Sequence, residues 1–475
     1  MNVRRLFALT FLVACSCGAV VACSDAAERQ GFPDDDGGSA SLPPEASVPE
    51  ASDEDARAPF DPADRPVVCA DAGACAVELV AGDRHFCARM SDGTVQCWGD
   101  DELGSLGRGV AQPVGADASV PPRVAPVKGV AGATEIGAAG ETSCALASGA
   151  VWCWGANKNA ELSAPSDYDP HPDAARVALG ALGDATRLDV GHGSICARLS
   201  SGQLACWGKD DEQQLARSQE DAGVWPIVRA PGVAAIGALP VARVKTGSHT
   251  TLALTPTGEL WTWGAVSGDE GLVSGRVSSI SPALVPKRVA RIASVTSLAV
   301  SATVVDEPGG GHGGPWFGLF PWPEPEPRAH ACAIASGEVY CWGKSEVGAL
   351  CTGMPDVEKE PAHARIGVKA WPQRVAVADE ITCVRMTDGT IQCCGSDRKG
   401  RLGTGSVALY APSFVPASAF TGRAVQVATS HDAVCALLEG GGVECWGSNA
   451  HGELGRAPDD EDHPSPVKIT FQVTP

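Results

Sequence analysis

The sequence predicts an all-β chain, a closed seven-bladed β-propeller from about Val77 to Val473, with a disordered, acidic N-terminal stalk. Three observations carry this expectation. A motif ending in Cys-Trp-Gly or a one-residue variant of it recurs seven times, each copy alternates like a short hairpin, and in the six copies that carry the cysteine pair it holds one cross-strand register.

The copies are CARMSDGTVQCWG at 87–99, CALASGAVWCWG at 144–155, CARLSSGQLACWG at 196–208 and LALTPTGELWTWG at 252–264. CAIASGEVYCWG at 332–343, CVRMTDGTIQCCG at 383–395 and CALLEGGGVECWG at 435–447 complete the set. The residue before the last glycine is Trp98, Trp154, Trp207, Trp263, Trp342, Cys394 and Trp446, in steps of 56, 53, 56, 79, 52 and 52 residues. The long step marks an insertion at 304–328. Each copy reads as strand, glycine turn, strand. A loop such as LGSLGRG at 103–109 or RLGTG at 401–405 follows, and then further β-type runs. Four short strands per unit bury their faces only against neighbouring units, which is blade chemistry.

The CA…DG.V.CWG…LG.G pattern resembles the regulator of chromosome condensation repeat family, over about five-sixths of the chain. The resemblance implies a seven-bladed propeller whose two termini close the ring within one blade. The strand-like Val467–Val473 and Val77–Gly82 fit such a closure. It also implies a binding scaffold. The founding member acts on a small GTPase and chromatin, and bacterial relatives include a secreted enzyme inhibitor.

Composition bounds the role further. The 475 residues carry 57 acidic and 36 basic side chains, a net charge of −21. Such a chain repels phosphate, so nucleic-acid binding is not expected. Residues 1–23 read as a lipoprotein signal: Arg4-Arg5, an apolar run, then Val20-Val21-Ala22-Cys23. Cys23 is the favoured acylation site because polar Ser24-Asp25 follows it; Cys15 and a plain signal peptide are the rivals. Residues 24–66 hold twelve acidic residues against three arginines with almost no large apolar side chains, the composition of a solvated linker. The propeller then occupies 67–475. The expected location is a bacterial cell envelope, lipid-anchored and facing periplasm or exterior.

Nineteen cysteines point to an oxidising compartment. Counting outward from each turn sets Cys87 opposite Cys97, and the shorter second turn again sets Cys144 opposite Cys153. The same register pairs Cys196 with Cys206, Cys332 with Cys341, Cys383 with Cys393 and Cys435 with Cys445. In the fourth unit both positions change together, to Leu252 and Thr262. Six structural disulfides are therefore expected, in preference to metal ligation, which needs ligands clustered differently. Cys69 with Cys75, and Cys351 with Cys394, are further candidate pairs; buried free thiols are the alternative for the latter.

No catalytic, cofactor-binding or metal residue is expected. His85, His192, His249, His330 and His431 precede the hairpins at differing offsets, which favours structural hydrogen bonding. The insertion contains Trp316, Phe317, Phe320 and Trp322, four aromatics in seven residues. If exposed they are anchors for a partner; the alternative is a loop folded back or disordered. The leading expectation is a macromolecule-binding scaffold for an unidentified protein partner. A glycan-binding, lectin-like propeller comes second, and a propeller enzyme such as a lyase third.

Overall fold

The structure is a computed structural model. It describes residues 60–472 apart from 62, 70–72, 112–123, 218–226, 279, 303–327, 355 and 368. Cys23, most of the 24–66 linker and the four insertion aromatics lie outside the described residues.

Seven four-stranded antiparallel sheets follow one another along the chain. Blades 1 to 7 cover 76–126, 133–176, 185–233, 243–288, 295–364, 372–416 and 424–468. Among the described residues only two 3-10 turns, 180–182 and 398–400, are helical. The first strands of the blades are Ala76–Ala81, Ala133–Ala139, Ala185–Val190, Arg243–Thr246, Val295–Val300, Pro372–Ala378 and Ala424–Thr429. Each packs against the first strand of the next blade, and the last packs against the first, so the ring is closed.

The repeat motif forms the second and third strands. Its closing glycine is obligatory: at Gly99 φ is +110°, and a Cβ would stand 2.4 Å from the carbonyl oxygen of Arg84. The adjoining tryptophans are fully buried between blades. Trp154 donates its Nε1–H to the carbonyl of Ser105 at 2.9 Å, Trp207 to Glu161 at 2.7 Å, and Trp263 to Gln214 at 2.8 Å. Each acceptor lies in the loop that follows the third strand of the preceding blade. Trp98 of blade 1 donates to Glu453 of blade 7 at 2.9 Å, so the same bridge also closes the ring.

Two expectations are corrected. The termini do not share a blade. Blade 7 supplies all four of its strands, ending in Asp459–Lys468, and blade 1 does likewise. Closure is made by side chains instead. Gln426 exchanges two hydrogen bonds with the backbone of Leu79, at 3.0 and 2.7 Å. Gln96 exchanges two with the backbone of Gln472, at 2.8 and 2.9 Å, and Phe471 meets Trp98 edge-on at 5.9 Å. A complete blade at each end leaves no strand to share, so a polar side chain completes the seam. The second correction concerns the linker boundary. Three residues of the expected linker pack on the propeller: Phe60 lies against Trp371, Asp64 is held by Arg374 and Arg385, and Arg65 meets Glu439 at 3.0 Å.

Candidate functional site

Antiparallel order puts the first-to-second and third-to-fourth connections of every blade on one face, here called the upper face. The first strands enclose an axial channel. Its upper mouth, about 240 Å³, is lined by Asp83, His192, Thr246, Ser301, Asp379 and His431 among others. His192 Nδ1 stands 3.7 Å from Asp83 Oδ1, and His431 Nδ1 stands 3.3 Å from Asp379 Oδ2. Burial pushes the Asp379 carboxyl up, while the nearby His431 pulls it down.

The five histidines therefore divide by depth. His85 and His330 are buried between blades, 2.7 Å from Ser143 Oγ and 2.8 Å from Thr382 Oγ1. Burial lowers each to about 4, so both are neutral structural links. His192 and His431 face the upper mouth, and His249 lies 2.8 Å from Lys209 Nζ and 3.4 Å from Asp211.

The upper face also gathers exposed apolar side chains. Val110, Tyr168, Val277, Ile280, Met354 and Leu409 all sit in third-to-fourth strand connections; Tyr168 is 79% and Leu409 78% exposed. The insertion joins the first two strands of blade 5, Val295–Val300 and Ala329–Ala335, so its ends belong to the same face. Ser301 and Ala302, just before it, line the upper mouth. Arg328, just after it, reaches Glu346 at 3.5 Å and Glu380 at 3.4 Å.

The lower end of the channel, about 440 Å³, is lined by Asp64, Glu78, Glu135, Arg243, Lys245 and Arg374 within an aliphatic wall. Here buried polar side chains stitch neighbouring first strands together. Glu135 Oε2 accepts the N–H of Leu188 at 3.0 Å, Asp189 Oδ2 that of Val244 at 3.1 Å, and Ser297 Oγ that of Val375 at 3.2 Å. Burial raises the Asp189 carboxyl even though Lys245 and Arg243 pull it down. No motif in the sequence marked these residues. Their roles depend on which blade lies next door.

The structure sets Cys87, Cys144, Cys196, Cys332, Cys383 and Cys435 in register with Cys97, Cys153, Cys206, Cys341, Cys393 and Cys445. All six pairs are disulfide-bonded, with Cα atoms 4.1 to 4.2 Å apart. Leu252 faces Thr262 at the matching place in blade 4. Cys69 is bonded to Cys75, and Cys351 of blade 5 to Cys394 of blade 6.

One group has metal-like composition. Asp459, Glu461 and His463 bring donor atoms within 4.8 Å of one another. Asp459 is already engaged, by Asn449 Nδ2 at 2.6 Å and His463 Nε2 at 2.6 Å. Blade 2 repeats the arrangement with Asn157, Asp167 and His171, at 3.2 and 2.8 Å. The arrangement is a loop clasp. A related signal was open to sequence reading: the Asn or Asp five residues before the loop leucine accepts that leucine's N–H, as Asp397 does from Leu402 at 2.9 Å and Asn449 from Leu454 at 3.1 Å.

Residues 76–105, the first hairpin and its loop, match the family model for the regulator of chromosome condensation repeat. Residues 76–105 thus carry a repeat of that family. It is 25% identical over 289 residues to the mouse E3 ubiquitin-protein ligase HERC2, covering 60% of this chain and 5% of HERC2. It is 33% identical over 147 residues to the Arabidopsis thaliana ultraviolet-B receptor UVR8, covering 30% of this chain and 32% of UVR8. The chain thus spans a small part of these condensation-regulator-type relatives. The human WBSCR16 crystal structure aligns with a TM-score of 0.49 at 17% identity, over 64% of this chain and 70% of that one.

Proposed function

We propose that this repeat propeller is a non-catalytic scaffold whose upper face captures a protein. One observation carries the reading: the channel mouth, the exposed apolar side chains and both ends of the insertion meet on a single face. Loops on a rigid frame carry function, and large apolar side chains exposed on them offer anchors to a partner. Trp316, Phe317, Phe320 and Trp322 belong to the same proposal as partner anchors, and Cys23 as a lipid anchor to a bacterial envelope membrane.

The test is cross-linking on intact cells with mass spectrometry, comparing wild type with Ile280→Glu/Leu409→Glu and with the four insertion aromatics changed to Ser. Partner recovery should fall for both variants and persist for a lower-face control, Arg374→Gln. Equal recovery in all four overturns the face assignment. Glycan-array binding that is lost in the same variants would assign the face to sugars. Palmitate-analogue labelling should disappear in Cys23→Ala; labelling lost instead in Cys15→Ala moves the anchor.

A further inference from the structure

The channel's lower half has a charge pattern opposite to that of the chain. The protein carries a net charge of −21, yet Arg65, Arg243, Lys245 and Arg374 line this end against Asp64, Glu78 and Glu135. Glu135 meets Arg243 Nη1 at 2.6 Å and Arg187 Nη1 at 3.7 Å. Asp189 Oδ1 meets Lys245 Nζ at 3.6 Å and Arg243 Nη1 at 3.9 Å. Depth matters as much as number. The side chains of Glu135 and Asp189 are 6% and 7% exposed, whereas those of Arg187, Arg243 and Lys245 are 51%, 44% and 39% exposed. Glu135 and Asp189 are spent on backbone N–H groups behind the wall and Glu78 is held by Arg89 at 2.7 Å, so an entering molecule meets the ends of Arg243 and Lys245.

Lys245 occupies the key position. It lines both the lower and the upper cavity, so it stands along the channel between the two ends. Asp189, at 3.6 Å, is its one ion-pair partner among the described residues. Around it the wall is aliphatic, with Leu188, Val190, Leu254, Leu298 and Val427. With apolar side chains on its flanks, its attraction for an anion is screened less than at an open surface.

The chain itself shows what this mouth accepts. Asp64, from the segment that crosses the lower end, places its carboxylate on two guanidiniums. Arg374 Nε donates to Oδ1 at 3.0 Å, and Arg385 Nη2 donates to the same oxygen at 2.8 Å. Arg385 is 1% exposed, so that site is built into the wall.

We propose that the lower channel is a binding site for a small amphiphilic anion, a carboxylate on a hydrocarbon body. The carboxylate lies on Lys245 and Arg243, and the body lies along the aliphatic wall. A cavity of about 440 Å³ falls within the range of small-molecule sites. The inference goes beyond protein capture on the upper face and stands without it, because its test uses no partner.

The test is displacement of anilinonaphthalene sulfonate from the full chain, read by fluorescence. Octanoate should displace a saturable, single-site signal, while octylamine and octanol should not. Lys245→Gln should weaken the octanoate-sensitive signal by about tenfold, and Lys245→Arg should retain it. Circular dichroism of both variants checks that the fold persists. Displacement by octanol or octylamine as effective as by octanoate overturns the proposal, because the cavity is then merely apolar. An unchanged signal in a folded Lys245→Gln overturns it as well. The ligand comparison on the wild type decides the matter even if the variant fails to fold.

Discussion

Cys394 of blade 6 is disulfide-bonded to Cys351 of blade 5, their Cα atoms 5.7 Å apart, at the junction where the other blades place a tryptophan. In the tryptophan junctions the loop carbonyl accepts an indole N–H, and where the second strand supplies a hydroxyl it accepts that too. Gln214 O accepts from Trp263 Nε1 at 2.8 Å and from Thr251 Oγ1 at 2.7 Å. At the blade 5–6 junction Ala349 O keeps the hydroxyl, from Thr382 at 2.7 Å, and Cys394 Sγ lies 3.6 Å away. A covalent bond therefore stands where a buried aromatic and its hydrogen bond stand elsewhere.

Removing that bond should cost more than removing a hairpin disulfide. Cys351→Ser/Cys394→Ser opens a loop with a sequence separation of 43, worth about 4 kcal/mol in the chain-entropy model. It also leaves a junction without its tryptophan. Urea midpoints should fall further than for Cys87→Ser/Cys97→Ser, whose separation is 10. Equal shifts would show that the blade 5–6 junction holds without the bridge.

Blade 4 should accept the disulfide it lacks. Leu252 and Thr262 face each other directly and are fully buried. Leu252→Cys/Thr262→Cys should oxidise spontaneously in air-equilibrated buffer, seen as a linked peptide in a non-reducing map. The gain should be about 2 kcal/mol, less the packing lost with the leucine. A free thiol at either position would show that the blade 4 hairpin is spaced differently.

The loop glycine and the next blade's tryptophan should fail together. Gly403 has φ of +70°, and a Cβ there would stand 2.8 Å from Trp446 Nε1. Trp446 donates to Arg401 O at 2.9 Å. Gly403→Ala should destabilise by about 1–3 kcal/mol, and Trp446→Phe by a similar amount through the orphaned carbonyl. The two losses should be less than additive in the double variant, since both break one contact.

Stability should fall with acid through His85 and His330. Burial holds each at about 4 in the folded chain, against a usual 6.5. Between those values the unfolded chain binds protons that the folded chain refuses, so stability declines as pH drops through that window. Each histidine contributes a slope of up to about 1.4 kcal/mol per pH unit. Asp210, pushed up to about 6 by burial, acts in the opposite sense, so the informative comparison is between variants. His85→Gln/His330→Gln should lose less stability than wild type between about pH 7 and about pH 4.5 in urea titrations. Parallel losses would remove these histidines as the cause.

Much of the frame was legible because it is local. The repeat fixes each hairpin within a dozen residues, and period-two alternation fixes which cysteines oppose each other. Terminal closure was not legible. Whether a strand from each end shares a blade depends on whether each terminal blade has all four of its own, and the side chains that then complete the seam, Gln426 and Gln96, have no repeat signature. The upper face could be placed only once strand order was known, and the linker boundary only once Asp64 was seen on Arg374 and Arg385.

The sequence by itself determined seven blades, their hairpins and the pairing of cysteines across them, because residues about ten apart set those contacts. Only the tertiary structure decided what the channel presents. Glu135, Asp189, Arg243 and Lys245 come from blades 2, 3 and 4, and the longest gap between them in sequence is more than a hundred residues. Their charges meet because the ring wraps first strands side by side. Burial then assigns the carboxylates to backbone N–H groups and leaves the cations in front, an outcome set by depth, which no linear pattern encodes.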